Sequence, residues 1–70
     1  MKTINYEDLH LHIKNPVQVT RWLMADDQTL LEQRQKQIII DKKRKAIIVH
    51  RKGEYALFAT RPDGLQKGSN

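Results

Sequence analysis

The order of apolar and polar positions divides the chain into a helical first half and a strand-rich second half. Near the start, Tyr6, Leu9 and Ile13 recur at helical spacing after Asn5, a residue type that caps helices well. Residues 9–13 also alternate between apolar and polar, as a half-buried strand does. Helix and strand therefore both remain open for this segment.

A second helix is predicted to begin at Pro16. Asn15 stands before it as a cap, and proline is favoured at the first position of a helix. Val19 and Trp22 then lie on one stripe of this helix. Thr29 begins a capping box followed by good helix formers, so helix is predicted to resume or continue to about residue 36.

The second half of the chain has the pattern of antiparallel strands. Three segments are rich in β-branched or aromatic residues, and two polar turns separate them. Gly53 suits the second turn because it supplies the positive φ that a bulged hairpin loop needs, and Pro62 ends the pattern because proline cannot continue a strand ladder. The predicted strands are residues 37–41, 46–50 and 55–60, and the predicted turns are residues 42–45 and 51–54.

These elements predict an α+β fold, with two or three short N-terminal helices followed by a three-stranded antiparallel β-meander. One domain is expected over residues 1–64, with residues 65–70 as a disordered tail. The element order resembles that of a winged-helix domain, in which one helix enters the major groove of DNA. Residues 28–37 would form that helix, although the glycine expected in the turn before it is missing.

Both faces of the predicted sheet are apolar, because Ile47 and Ile48 are adjacent and adjacent strand residues point to opposite faces. The helices of so short a chain cover one face. A second copy of the chain, a partner protein or the N-terminal segment is then expected on the other, and a homodimer is the favoured prediction. The candidate partner-binding residues are Trp22, Ile39, Ile47, Val49 and Phe58.

Charge is concentrated in one segment of the 70-residue chain. Thirteen Lys and Arg against eight Asp and Glu leave a net charge of +5. Residues 34–52 alone hold eight basic residues and one aspartate, a net of +7, whereas residues 1–33 have a net of −2. Such an asymmetry indicates an electrostatic partner, of which nucleic acid is the most common.

The predicted sheet carries this charge at two poles. Arg61 is expected at the same end as the turn at 42–45, and the remaining cations at the opposite end. DNA is expected rather than RNA, because the strands offer only Tyr55 and Phe58 as stacking rings. An acidic partner protein, or a solvated turn whose lysines prevent aggregation, would also account for the pattern. The candidate nucleic-acid-binding residues are Arg34, Lys36, Lys42, Lys43, Arg44, Lys45, Arg51, Lys52 and Arg61.

The residue inventory offers little for catalysis, so an enzyme is not expected. Cysteine is absent, and the single serine, Ser69, lies in the predicted tail. His10 and His12 with Glu7 supply too few ligands for a metal site, so neither a metal nor another cofactor is expected. The longest apolar run has five residues, and the N-terminal residues lack an apolar signal region. A cytoplasmic protein without membrane contact is therefore expected.

Overall fold

The computed structural model describes residues 3–40 and 44–61, which form a mixed five-stranded sheet with a helix on each face. The strands are β1 (Thr3–Asn5), β2 (Pro16–Gln18), β3 (Leu23–Met24), β4 (Ala46–Arg51) and β5 (Glu54–Thr60). A 3₁₀ turn (Tyr6–Asp8) leads into the short helix α1 (Leu9–His12), and the longer helix is α2 (Asp27–Ile39).

The strands lie in the order β1, β4, β5, β2, so the β4–β5 hairpin occupies the centre of the sheet. β1 runs parallel to β4, while β2 and β3 both run antiparallel to β5. Gln18 pairs with Phe58 and Leu23 with Tyr55. Four residues of the outer chain therefore stand opposite two of β5, so β2 and β3 form one edge interrupted by a bulge.

The central hairpin agrees with the sequence prediction for its strands and for the position of its turn, but the turn has two residues and no bulge. Lys52 and Gly53 have φ values of 43° and 83°, and Arg51 pairs directly with Glu54. Positive φ at both central residues is the signature of a type I′ turn, whose twist matches that of the flanking strands.

One face of the sheet is covered by α1. Leu9 and Ile13 are buried against Val49, Ala56 and Phe58, which are alternate residues of the two central strands. The partly buried side chains at the border of this cluster are those of Ile4, Trp22 and Ile47.

The other face of the sheet is covered by α2. This helix begins at a cap in which Asp26 Oδ1 accepts a hydrogen bond from the Thr29 backbone N–H at 2.7 Å. That hydrogen bond lowers the pKa of the Asp26 carboxyl below its ordinary value. Beneath the helix, Ile48 and Leu57 are almost fully buried. Both apolar faces predicted from the sequence are therefore covered by helices of the same chain.

The helix α2 buries a glutamine and exposes isoleucines. Gln33 is only 1% exposed, whereas Ile38 and Ile39 are 80% and 82% exposed. The Oε1 atom of Gln33 has no hydrogen-bond partner among the described residues. A buried acceptor without a partner costs roughly 1–3 kcal/mol of desolvation free energy.

We expect Gln33→Met to raise the free energy of unfolding by roughly 1 kcal/mol, because it keeps the buried volume and removes the unpaired acceptor. Urea unfolding followed by far-UV circular dichroism measures this change. Gln35→Met is the matched control, since Gln35 is exposed on the same helix and its substitution leaves stability unchanged. A Gln33→Met protein less stable than the unmodified chain would contradict the packing described.

The predicted meander is wrong, because the sheet has five strands and both parallel and antiparallel pairs. Residues 37–39 belong to α2 rather than to a strand, and Gln37 Nε2 donates a hydrogen bond to the Ala46 carbonyl oxygen. This contact and the uninterrupted run of helix formers outweigh the strand preference of the isoleucines. The connection from α2 to β4 is therefore not a hairpin, and Lys42 and Lys43 within it lie outside the described residues.

The helix predicted from Pro16 is also wrong, because these residues form the edge strand β2. Asn15 has a φ of 50°, so it turns the chain instead of capping a helix. Proline is tolerated here because an edge strand does not need every backbone N–H. The resemblance to a winged-helix domain is lost with this helix. Within residues 28–37, Gln33 is buried and therefore cannot contact DNA.

The alternatives that the sequence left open for residues 9–13 are resolved within the described residues. The segment 9–13 is helical at Leu9–His12 and becomes extended at Ile13. The longest described helix, α2, has 13 residues, and neither helix of the described ranges has the length and apolar content for a membrane crossing. The predicted tail, residues 65–70, lies outside the described residues.

Candidate nucleic-acid interface

Several chain segments meet at the end of the sheet where β4 begins and β5 ends. The Thr60 backbone N–H donates to the Lys45 carbonyl oxygen at 2.9 Å, and the Lys45 backbone N–H donates to Thr60 Oγ1 at 3.3 Å. One residue further, the Arg61 backbone N–H donates to the Asn15 carbonyl oxygen at 3.0 Å. These hydrogen bonds bring Lys45, Arg61 and the neighbour of Asn15, Lys14, to the same end.

The C-terminus of α2 reaches this end as well. The side chain of Gln37 bonds to the backbone of Ala46, and the Ile40 backbone N–H donates to the Lys36 carbonyl oxygen at 3.2 Å. Lys36 is therefore close to the start of β4, and Arg44 lies two residues before that strand. We define the basic end by the residues Lys14, Lys36, Arg44, Lys45 and Arg61.

Acidic residues of the described ranges lie elsewhere. The backbone N–H of Ala25 donates to the Gly53 carbonyl oxygen at 3.2 Å, which places the start of α2 beside the β4–β5 turn. The 3₁₀ turn follows Asn5, whose partner in the sheet is His50, so it lies at that end too. The acidic residues at the opposite end are Glu7, Asp8, Asp26, Asp27 and Glu54, and the sixth, Glu32, is in the middle of α2.

The fold is therefore electrostatically polarised along its strands. Each cation of the basic end except Arg44, which is half-buried, is exposed. Among residues 3–40 and 44–61, the one side-chain ion pair joins Arg51 Nε to Glu54 Oε1 at 3.5 Å, at the opposite end. The cations of the basic end have no acidic partner in the described part of the chain.

The structure separates the sequence-predicted cations into groups. Lys36 lies at the basic end, whereas the sequence predicted it at the opposite end of the sheet. The reason is that α2 continues past Lys36 to Ile39, where a strand was predicted to begin. Arg51 and Lys52 lie at the opposite end, and Arg34 lines a groove between α2 and β1. Lys14 was not among the predicted residues, since it stands alone in the acidic half of the sequence. A polar turn after an amphipathic segment was its only signal.

Arg51 is engaged within the molecule rather than free for a ligand. Its guanidinium carbon lies 3.9 Å from the centroid of the Trp22 ring and 5.9 Å from that of Tyr6. The Trp22 ring in turn meets Phe58 edge-on, with ring centroids 5.8 Å apart. A cation over an aromatic face is attracted by the ring quadrupole. Arg51 thus packs against the aromatic cluster of Tyr6, Trp22 and Phe58 and forms an ion pair with Glu54.

The predicted partner-binding residues also have different environments. Val49 and Phe58 are buried in the core beneath α1, and Trp22 and Ile47 are half-buried at its border. Ile39 is 82% exposed on α2 and is the one that remains open to a partner.

An open cleft of about 590 Å³ lies at the end opposite the basic end. In it, His50 Nδ1 and Asn5 Oδ1 are 3.0 Å apart, and the His50 ring lies beside that of Tyr55. The cleft lining mixes both signs of charge, with Glu7 and Glu54 facing Arg51 and Lys52. Within the described ranges, no three His, Cys, Asp or Glu side chains come together as metal ligands.

Comparisons of the chain with protein-family models, with curated proteins and with solved structures find no match, so the charge geometry alone supports the functional proposal.

Proposed function

We propose that the protein binds nucleic acid through its basic end, with duplex DNA as the preferred ligand and the cytoplasm as the place of action. The observation that supports this function is the convergence of five cations from four chain segments, with no described acidic residue among them. Each lysine or arginine that neutralises a phosphate releases a condensed counterion, which is the main source of sequence-independent affinity.

The position of the aromatic rings supports binding to phosphates over binding to splayed bases. Trp22 packs beside Arg51 and Tyr55 pairs with His50, so both rings are near the opposite end, while Phe58 is buried. Single-stranded nucleic acid is usually held on exposed aromatic rings, and the basic end offers none within the described residues. A duplex, which needs only charge complementarity to its backbone, fits this surface better.

We expect duplex DNA binding to weaken steeply with salt, with a log–log slope of about −4.5 for five neutralised phosphates. The slope reaches about −6 when Lys42 and Lys43 contribute as well. Fluorescence anisotropy with labelled duplex DNA, single-stranded DNA and RNA over a series of salt concentrations measures it. Absence of binding to all three nucleic acids at low salt, or tight binding whose affinity does not depend on salt concentration, would contradict the proposal.

A second candidate function is binding of an acidic partner protein, and the exposure of Ile38 and Ile39 beside the basic end favours it. Adjacent isoleucines that are four-fifths exposed supply an apolar contact, and the neighbouring cations supply charge complementarity. The same salt titration separates the two functions, because this one predicts no measurable affinity for DNA or RNA at physiological salt.

A further inference from the structure

A groove of about 310 Å³ runs between α2 and the edge strand β1. Leu30, Leu31 and Ile48 form its apolar part, and Thr3 of β1 forms one wall. β1 is the last strand of the sheet, so its outer backbone groups have no strand partner among the described residues. A free strand edge beside an apolar groove is a template for pairing with another chain.

The wall of the groove formed by α2 carries a short stripe of three residues. Asp27, Leu31 and Arg34 are separated by four and three positions, so they lie on one side of the helix. All three line the groove, and Leu31 is 48% exposed. Along the helix axis, Asp27 lies about 6 Å to one side of Leu31 and Arg34 about 4.5 Å to the other.

The charges of this stripe are complementary to those of a second copy. Neither Asp27 nor Arg34 has an ion-pair partner within the described ranges, and together they leave the groove neutral. A two-fold axis that passes near Leu31 brings Arg34 of each copy to Asp27 of the other, so that two ion pairs flank a central leucine contact. A partner that carries charge of only one sign could form an ion pair with Asp27 or with Arg34, but not with both.

We propose that a second copy of the chain occupies this groove, forming a homodimer through α2 and β1. With the axis perpendicular to the sheet, both the helices and the β1 strands of the two copies run antiparallel. The two sheets then join edge to edge, and both free edges are satisfied. This inference goes beyond the proposed function, since the groove is separate from the basic end and its test requires no nucleic acid.

Sedimentation velocity of the full chain, from micromolar to millimolar concentration and without nucleic acid, tests the proposal. We expect a concentration-dependent dimer that Leu31→Asp converts to a folded monomer, because it places two carboxylates at the axis. Ile39→Asp is the matched control. Ile39 is an exposed isoleucine of the same helix outside the groove lining, about 80° around the helix from Leu31 and about 12 Å further along the axis, so this variant stays dimeric.

Charge exchange and cross-linking keep the test decisive if Leu31→Asp fails to fold by circular dichroism. We expect Arg34→Asp to weaken the dimer about tenfold or more, and Asp27→Arg/Arg34→Asp to restore it. Because the chain has no cysteine, Leu31→Cys introduces a single thiol that is expected to cross-link two copies on oxidation, whereas Ile39→Cys is not. A monomer at millimolar concentration, or a dimer unaffected by changes at both Leu31 and Arg34, would overturn the proposal.

Discussion

Lys45→Glu/Arg61→Glu is expected to weaken duplex DNA binding about a hundredfold. A non-specific Kd of about 10⁻⁵ M corresponds to roughly 7 kcal/mol, and five phosphate contacts then supply roughly 1.4 kcal/mol each. Each lost contact therefore costs about a factor of ten. Both side chains are exposed, so the fold is expected to persist, as circular dichroism can verify.

The control for this variant is Arg21→Glu/Lys52→Glu, which changes the net charge by the same amount away from the basic end. Arg21 lies in the bulge between β2 and β3, and Lys52 in the β4–β5 turn, and both are exposed. We expect a loss of less than about tenfold, from the long-range field alone. Equal losses in the two double variants would mean that net charge, and not the basic end, determines binding.

Phe58→Ala is expected to lower the free energy of unfolding by about 3–5 kcal/mol. Phe58 lies in the core cluster under α1, and its ring is adjacent to those of Trp22 and Tyr6. Domains have roughly 0.05–0.15 kcal/mol of stability per residue, so a chain of this size has about 4–10 kcal/mol in total. The substitution therefore removes a large part of the stability, which urea unfolding monitored by the fluorescence of Trp22, the single tryptophan, can measure.

Tyr6→Ala is the comparison for Phe58→Ala, since Tyr6 belongs to the same aromatic cluster but is 47% exposed. We expect it to cost less than half as much, because much of its ring stays in water in the folded protein. A larger cost for Tyr6→Ala than for Phe58→Ala would contradict the described core.

The central hairpin could be predicted from the sequence because its signals are local. Residues 46–50 and 55–60 have β-branched and aromatic side chains, and Gly53 stands in the two-residue turn between β4 and β5. The helix around residues 29–36 could be predicted for the same reason, and its N-terminal cap is Asp26. In each case, neighbouring residues favour the structure that forms.

The remaining strands depend on partners that are distant in the sequence. β1 pairs in parallel with β4, about 45 positions away, and three residues of an extended chain carry no pattern of their own. Asn15 and Pro16 satisfy the rules for a helix start, but the free energy of pairing with β5 outweighs that preference. The isoleucines of 38–39 favour a strand locally, yet they extend α2 because Gln37 docks on Ala46.

The candidate site could likewise be predicted where its signals are local, and not where it depends on contacts distant in the sequence. Composition and charge counting identified the basic segment, and four of the five residues of the basic end were among those predicted. The grouping of these residues depends on the direction of α2, which brings Lys36 to Lys45 and separates both from Arg51. Lys14 joins them through the pairing of β2 with β5 and the hydrogen bond between Asn15 and Arg61, a contact across 46 positions of sequence that no local pattern predicts.

The most direct test of the basic end is an NMR titration of the ¹⁵N-labelled chain with a short duplex DNA at low salt. We expect the largest amide shifts at Lys14, Lys36, Arg44, Lys45 and Arg61, which come from four chain segments but share one end of the sheet. We expect small shifts at the β4–β5 turn, including Lys52 and Gly53. Shifts centred on that turn, or shifts confined to a single segment, would contradict the proposed function.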